Sequence, residues 1–336
     1  MAALAAAILV AGCYQPIEYG PTVPPSLGPS PSPAPLLVTD IELTADAAVL
    51  HGSDLEAGDH YGATLPAAYF VVDGMRHLYV VGFGDGPGDQ RVFHATSADG
   101  LAWAVDADDP FADLGLELAR PGPVPGAVLE MDGQWVMYLW GVPMAARAAA
   151  QIYRAVAPGP AGPWVADPEP VVPAGATGEV DDGGLDYPTV VPTADGYLML
   201  YGANSGDHPN AARILAARST DGVVWHKDGP VIEPQDCGGG DSDFIAMPRM
   251  FGSGYGYVVL AVLGNDIAAL TSVSGLNWSC VGDGPMFQAS EIEGSNRVHA
   301  MAAAFDGTRL SIIIEALQYD AQGGVFSNLW LANSLP

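Results

Sequence analysis

Acidic side chains recur in this sequence shortly before a proline, or before a histidine in the same position. The segments are EAGDHYGATLP, EVDDGGLDYP, DCGGGDSDFIAMP and EIEGSNRVH. They supply four candidate catalytic carboxylates, Asp59, Asp186, Asp243 and Glu293. Hydrolysis of a glycosidic bond requires paired carboxylates, because one protonates the leaving oxygen while the other activates water or attacks carbon. A single acidic residue is more often a solvated loop residue, so this hypothesis depends on the recurrence.

Polar and aromatic residues that can bind a ligand lie in or next to the same segments. The candidate binding residues are His60, Asp182, Tyr187, Arg249, Arg297 and His299. Arg249 directly follows its proline, where it is placed to steady a carboxylate or a sugar hydroxyl. The structural alternative is an arginine that only neutralises the neighbouring acids.

The prolines and the histidine belong to a repeat. These anchors are Pro66, Pro125, Pro188, Pro248 and His299, and each is followed seven residues later by a turn residue that precedes glycine. A second motif, S-x-D-G-x-x-W, lies downstream of the anchors in HATSADGLAW and RSTDGVVW, with variants in TSVSGLNW and APGPAGPW. A fixed period of this length is typical of a repeat architecture.

Each repeat predicts four strands, with a hairpin at the Asp-Gly step between two apolar runs. Four strands repeated five times predict an all-β fold, a five-bladed β-propeller with four-stranded blades. The last repeat has room for only three strands, so we expect the segment at residues 37–53 to add the fourth and close the ring. The tryptophan of the second motif is expected to fill the space between blades.

Composition limits the partners. The chain has 336 residues, with 11 Lys and Arg against 39 Asp and Glu, and its net charge is -28. A field of this sign repels phosphate backbones, which argues against nucleic-acid binding. The acidic, polar and aromatic residues expected at the inner ends of the blades favour a carbohydrate as the partner instead. We also expect the protein to be a monomer.

The N-terminal region predicts export. Residues 1–12 are apolar and too short to span a bilayer, which suits a signal segment. The stretch VAGC resembles a bacterial lipoprotein cleavage site, with Cys13 as the lipidated residue. Residues 13–36 are rich in Pro, Ser and Gly and predict a tether, followed by the propeller at residues 37–336. We therefore expect a cell-envelope protein outside the cytoplasm, held to the membrane only through its lipid; the alternative is an apolar N-terminus without a function.

The remaining cysteines and the acidic loops leave alternatives open. Cys237 and Cys280 form an even pair, which in an exported protein indicates a disulfide. Two buried free thiols are the alternative. No nucleotide, haem or zinc motif occurs, so we expect no cofactor and no metal, although the loops DDGGLD and DCGGGDSD offer oxygen ligands of the kind that Ca²⁺ prefers.

The repeats, the anchoring prolines and the S-x-D-G-x-x-W turns resemble the five-bladed propeller glycosidases of the arabinanase, β-xylosidase and invertase group. The resemblance covers residues 37–336. It implies an Asp directly before the first-blade proline, an Asp before a later proline, and a Glu two residues before another. This sequence instead has Leu65, Val124 or Tyr187, and Ala246 there.

That departure leaves two hypotheses. In the first, the chain is a glycosidase whose carboxylates are displaced to the four candidate positions. In the second, it is a non-catalytic propeller that binds a glycan or an envelope partner. A sialidase-type propeller is disfavoured because its aspartate box has a different spacing and no arginine triad is evident.

Overall fold

A computed structural model of the chain describes residues 41–44, 47–55, 63–84, 90–144, 149–206, 208–240, 244–253, 255–319 and 325–334. Within these ranges, twenty strands form five antiparallel sheets of four strands each. This arrangement confirms the all-β five-bladed propeller.

The blades follow one another along the chain, and in each the first strand is nearest the axis. Blade one contains β2 (Ala63–Val72), β3 (Met75–Phe83), β4 (Gln90–Ser97) and β5 (Ala104–Val105). Blade two contains β6 (Leu118–Met131), β7 (Gln134–Pro143), β8 (Gln151–Ala157) and β9 (Val165–Ala166). Blade three contains β10 (Gly184–Thr193), β11 (Gly196–Ser205), β12 (His208–Ser219) and β13 (His226–Ile232).

Blade four contains β14 (Ile245–Ser253), β15 (Gly256–Leu263), β16 (Asp266–Ser272) and β17 (Ser279–Cys280). Blade five contains β18 (Ser295–Phe305), β19 (Leu310–Tyr319), β20 (Val325–Ser334) and β1 (Ile41–Leu43). The described residues also include three short 3-10 helices, Gly52–Asp54, Pro234–Cys237 and Ala289–Glu291. None of the helices described is long and apolar enough to cross a membrane.

The N-terminal strand closes the ring as predicted. β1 pairs antiparallel with β20, with Ile41 opposite Ser334 and Leu43 opposite Ala332. Leu50 forms a further bridge to Leu329. β1 and the C-terminal strands thus share one sheet, and β1 covers the edge that β20 would otherwise expose. Residues 37–40 of the predicted closing segment lie outside the described residues.

The middle strands form the core. Residues 78–81 of β3, 198–201 of β11 and 258–262 of β15 are all buried. Each middle strand lies between two neighbouring strands of its own blade and is covered by another blade on each face. These strands are therefore continuous apolar runs, not alternating apolar and polar residues.

Every anchor coincides with a β-bulge in an innermost strand. The pairing register shifts between residues 66 and 68, 125 and 127, 186 and 189, 246 and 249, and 298 and 300. Proline has no N–H to donate to the ladder, so within a sheet it is found at bulges and edges. In blades three and four the bulge also places Tyr187 and Met247 at positive φ, 44° and 56°. Bulges re-aim side chains, and here they do so at the axis.

The inner hairpins match the prediction in blades one and two and differ in blades three, four and five. Asp73 and Asp132, each followed by glycine, have positive φ at both turn residues. In blades three and four the turn lies one residue earlier, because Gly196 already pairs with Thr193 and Gly256 with Ser253. In blade five a four-residue loop replaces the two-residue turn, and Asp306 Oδ1 accepts hydrogen bonds from the backbone N–H groups of Thr308 and Arg309.

The outer turns repeat one hydrogen-bond pattern. In blade three, Ser219 Oγ accepts from Gly222 N at 2.8 Å and Trp225 Nε1 donates to Gly222 O at 3.2 Å. Gly222 packs against blade two, where Tyr138 OH donates to Gly222 O at 2.6 Å. The fully buried Trp164 of the variant motif donates to Tyr79 OH of blade one at 2.7 Å. The outer turns therefore pack between blades, as expected for their tryptophans.

A disulfide joins Cys237, in the 3-10 helix after blade three, to Cys280 in the outer strand of blade four, with 5.3 Å between the Cα atoms. The disulfide joins the linker between blades three and four to β17, the two-residue outer strand of blade four. Cys13, the signal segment and the tether lie outside the described residues.

Candidate active site

The inner strands all begin at the same end of the ring, and their first residues surround the axis there. We call this region the mouth and define it by Trp140, Asp186, Tyr187, Arg249, His299 and Glu315. The bulges of β10, β14 and β18 place Asp186, Arg249 and His299 next to the irregular positions of three different blades. Residues from three different blades, 50 or more positions apart in the chain, thus meet at one site.

Asp186 has a carboxyl group that no described residue hydrogen-bonds. Its Oδ1 has no exposed surface and packs directly over Gly202 of the neighbouring strand β11, where any side chain would collide with it. Burial raises the pKa of Asp186 to about 7, and the nearby positive charge of Arg249 opposes that shift. A carboxyl group with this pKa is protonated in a large fraction of molecules at neutral pH, so it can donate a proton.

Arg249 is only 4 % exposed and crosses the axis. Its Nη1 donates to Pro248 O and its Nη2 to Ala67 O, both at 3.0 Å, which links blade four to blade one. Within the described residues its Nε has no acceptor and no carboxylate lies within salt-bridge distance. Burial lowers the pKa of Arg249 to about 10. The guanidinium lies 5.6 Å from the centre of the Tyr187 ring, so its charge remains at the mouth.

Arg249 also lines a cavity of about 230 Å³ that continues along the axis. The innermost strands of all five blades contribute to this cavity. Arg249 therefore belongs both to the mouth and to the lining of this cavity.

His299 and Glu315 form a pair on blade five. Glu315 is 1 % exposed and its Oε2 lies 2.9 Å from His299 Nδ1. An ionised carboxylate only accepts hydrogen bonds, so Nδ1 carries the proton and Nε2 is the nitrogen that exchanges one. The hydrogen bond to Glu315 raises the pKa of His299 above its ordinary value. His299 is 39 % exposed and accessible to a ligand.

Two aromatic side chains complete the site. The rings of Trp140 and Tyr187 lie 5.3 Å apart, and Trp140 Nε1 is buried without an acceptor among the described residues. Burial raises the pKa of Tyr187, and the charges of Asp186 and Glu315 raise it further. The charges of Asp186 and Glu315 therefore both act on the Tyr187 hydroxyl.

The remaining predicted site residues are three outside the described part of the chain, together with Asp182, Glu293 and Arg297. Asp59, His60 and Asp243 lie outside the described residues. Asp182 accepts hydrogen bonds from Gly178 N and Gly206 N, both at 2.6 Å, so its oxygens already hold a loop together. Glu293 is exposed between the 3-10 helix Ala289–Glu291 and β18. Arg297 lies with its guanidinium 5.8 Å from the ring centre of Phe244.

Crowding of two carboxylates can raise the pKa of one of them. The pKa of Asp186 is instead raised by burial, and the neighbouring charge of Arg249 lowers it. The positions that the family resemblance assigns to carboxylates are held by Leu65, by Val124 or Tyr187, and by Ala246, all of which are buried.

Sequence reasoning missed Trp140 and Glu315. Glu315 gave a usable signal, because it is the one charged residue in the apolar run LSIIIEAL. A charge within a strand that is otherwise buried requires a partner. Trp140 gave no such signal, because a tryptophan in an apolar strand is usually a core residue. Among the described residues, no group of three or more His, Cys, Asp or Glu side chains is placed to hold a metal ion.

The sequence matches no protein-family model and no curated protein. Solved structures do resemble it. A thermostable family-43 glycoside hydrolase has a TM-score of 0.63 and 15% identity, over 80% of this chain and 89% of that one. A family-117 glycoside hydrolase from Zobellia galactanivorans has a TM-score of 0.58 and 17% identity, over 88% and 90%. An endo-arabinase from Bacteroides thetaiotaomicron has a TM-score of 0.55 and 15% identity, over 85% and 96%.

Identities this low support the fold and do not transfer an activity. They nevertheless agree with the resemblance that the repeats and outer turns predicted. This chain therefore has the five-bladed propeller fold found in these glycoside hydrolases.

Proposed function

We propose that the protein binds a carbohydrate at the mouth and hydrolyses a glycosidic bond there. The observation that carries the proposal is Asp186, a carboxyl group at the entrance to the axis with a pKa of about 7 and a buried Oδ1 that no described residue hydrogen-bonds. A structural carboxylate would have hydrogen-bond donors or an ion pair to offset its burial. Burying a carboxyl group without such partners costs stability. Active sites are where groups with pKa values raised in this way are found.

In this mechanism Asp186 transfers its proton to the glycosidic oxygen as the bond between that oxygen and the anomeric carbon breaks. Water attacks the anomeric carbon, and His299 Nε2 accepts the proton that the water loses. Glu315 holds the His299 ring through Nδ1 and stabilises the imidazolium that forms. The products are a sugar hemiacetal and a free alcohol. Asp186 then regains a proton from solvent, and His299 releases one to solvent.

The remaining mouth residues bind the sugar. Arg249 has a buried Nε and Trp140 a buried indole N–H, and neither has an acceptor in the part of the chain that the structure describes. The faces of Trp140 and Tyr187 suit the apolar face of a sugar ring, while Arg249 suits its hydroxyl oxygens. Sugars carry acceptors and donors around an apolar ring, which matches this combination.

We also propose that the propeller is exported and held at the cell envelope by a lipid on Cys13. The VAGC stretch and the Pro-rich segment after it support this. A tether of this composition is semi-extended and would hold the folded domain away from the bilayer.

The test is an assay of wild type and Asp186→Asn on a panel of aryl glycosides and plant and microbial polysaccharides. Asp186→Asn should lower kcat/KM by at least ~100-fold, as expected for loss of a general acid. Wild-type kcat/KM should decrease above about pH 7 as Asp186 loses its proton. It should also decrease at lower pH as His299 becomes protonated.

Asp182→Asn is the matched control, because Asp182 precedes the same strand and is bonded only to backbone groups. It should retain the wild-type profile. Equal activity of Asp186→Asn and wild type would remove Asp186 from the mechanism.

A non-catalytic glycan-binding propeller is the second candidate. It is favoured by the buried residues that stand where the family resemblance implies carboxylates, namely Leu65, Val124 or Tyr187, and Ala246. Under this alternative no substrate is turned over by wild type, while a glycan still binds at the mouth. The same assay, run together with binding measurements, separates the two.

A further inference from the structure

A second cleft lies between blades three and four, at the hairpin end of the inner strands. We call it the seam cleft, with Thr193, Tyr197, Arg218 and His226 from blade three and Tyr257 and Ser274 from blade four. Its volume is about 650 Å³, larger than that of the axial cavity. Ligand pockets for small molecules typically span about 300–1,000 Å³.

The seam cleft is separate from the mouth. Asp186 and Thr193 lie on the same strand, β10, seven residues apart. At about 3.3 Å per residue the two sites are about 20 Å apart along the strand and open at opposite ends of it. A ligand in the seam cleft therefore does not touch Asp186 or Arg249.

The polar groups of the seam cleft are available to a ligand. The hydroxyls of Tyr197 and Tyr257 and the ring of His226 form no hydrogen bond within the part of the chain that the structure describes. Arg218 is held by Asp228 through two hydrogen bonds, Nε to Oδ2 at 2.8 Å and Nη2 to Oδ1 at 2.7 Å. Its Nη1 remains available, and the guanidinium is already fixed in place, which lowers the entropy lost on binding.

Apolar surface accompanies these groups. Tyr197 and Tyr257 are half-buried, so each ring is held in position with part of its surface exposed. Val224 lines the cleft and is 59 % exposed, and Val273, next to Ser274, is 86 % exposed. Exposed apolar side chains grouped at a concave polar site indicate a binding surface.

We propose that the seam cleft is a second binding site, for a neutral oligosaccharide, independent of the mouth. Tyrosine rings present apolar faces to the C–H groups of a sugar ring, and the hydroxyl, imidazole and guanidinium groups around them match sugar hydroxyls. The charge of Arg218 is offset by Asp228, so a neutral ligand fits better than an anionic one. A chain held there raises the local concentration of the same polysaccharide near the mouth.

The experiment titrates cellohexaose, xylohexaose, mannohexaose and arabinohexaose into wild type and variants by isothermal calorimetry. The Tyr197→Ala/Tyr257→Ala double variant removes both rings. Arg218→Ala is a second variant, because its exposed side chain, 61 % accessible, can be removed without opening the core. Tyr255→Ala is the matched control, since Tyr255 is 60 % exposed and lies on the same hairpin outside the cleft.

At least one hexasaccharide should bind wild type, Tyr255→Ala and Asp186→Asn with the same affinity at the seam cleft. The double variant should weaken that site by at least ~10-fold, with Arg218→Ala changing it in the same direction. Unchanged titrations in both cleft variants, or no binding of any of the four sugars to wild type, would overturn the proposal. Loss of turnover in Asp186→Asn with retained seam binding shows that the two sites are independent.

Discussion

Asp186 combines two properties that usually exclude each other: its Oδ1 is buried, and it has no hydrogen-bond partner among the described residues. Oδ1 lies against a glycine in the neighbouring strand, and the charge that acts on the carboxyl group is that of Arg249, which is itself bonded to backbone carbonyls. The protonated acid is the form that this environment favours. The residue therefore links the stability of the fold to pH in a direction opposite to that of an ordinary aspartate.

The folded-state pKa of Asp186, about 7, lies above the ordinary value of about 4. Between these values the folded state binds more protons than the unfolded state, so its free energy of unfolding falls as the pH rises. Asp186→Asn removes this dependence. We expect the variant to be more stable than wild type by about 1–4 kcal/mol at pH 8 and to show little difference at pH 4. Chemical denaturation at the two pH values measures the difference.

The comparison variant is Asp182→Asn. Hydrogen bonds from Gly206 and Gly178 lower the pKa of Asp182, so its contribution to stability is present at neutral pH and lost as the pH falls. Asp182→Asn should therefore destabilise the protein at pH 8. A gain in stability for both variants would indicate a general effect of reducing the negative net charge, which is -28 in wild type.

At the scale of the elements, the outer turns determine how closely the blades approach. Gly222 has a φ of +72°, and a side chain there would collide with Met131 and approach Tyr138 OH of blade two. The glycine thus meets a backbone requirement and a packing requirement together. Trp225 then packs against Tyr138 with ring centres 5.5 Å apart, which adds to the contact between blades.

Gly222→Ala tests this contact. A Cβ at positive φ costs about 1–2 kcal/mol, and overpacking adds about 1–3 kcal/mol, so we expect a loss of roughly 2–5 kcal/mol in the free energy of unfolding. Gly229→Ala is the control, because Gly229 also has positive φ, +93°, with no atom near its added Cβ. Gly229→Ala should lower the free energy of unfolding only by the about 1–2 kcal/mol that a Cβ at positive φ costs. Similar losses for the two variants would contradict the role of Gly222 in packing the blades together.

At the scale of the whole molecule, the ring joins sequence-distant segments in two ways. β1 completes the sheet of the C-terminal blade, and Arg249 links blade four to blade one across the axis. The disulfide between Cys237 and Cys280 adds a third, local link between blades three and four. These links hold the ring of blades closed, and the inner strands of that ring position the mouth residues.

Location is the whole-molecule prediction. When the full gene is expressed in a bacterial host, the protein should partition with the membrane fraction, and Cys13→Ser should move it to the soluble fraction. The physical reason is that a lipid chain, and not the propeller, would supply the membrane affinity. Fractionation followed by immunoblotting measures the distribution. If the two forms partition alike, Cys13 is not the anchor.

The repeats determined the fold from sequence alone. The anchors at 66, 125, 188, 248 and 299 and the S-x-D-G-x-x-W turns are local signals, because proline, glycine and aspartate restrict the backbone wherever they occur. Those restrictions predicted the hairpins, the blade count and the closing strand. The details that differ, such as the turn that lies one residue early in blade three, are differences of register that short-range patterns do not specify.

The site depended on tertiary structure. Asp186, Arg249, His299 and Glu315 come from three blades, and no spacing in the chain shows which of them meet. The sequence placed Asp186, Tyr187, Arg249 and His299 at the ends of inner strands. It did not identify Glu315 as the partner of His299, or burial as the cause of the raised Asp186 pKa. Burial and electrostatic environment are properties of the surrounding residues, and those residues are assembled only when the ring closes.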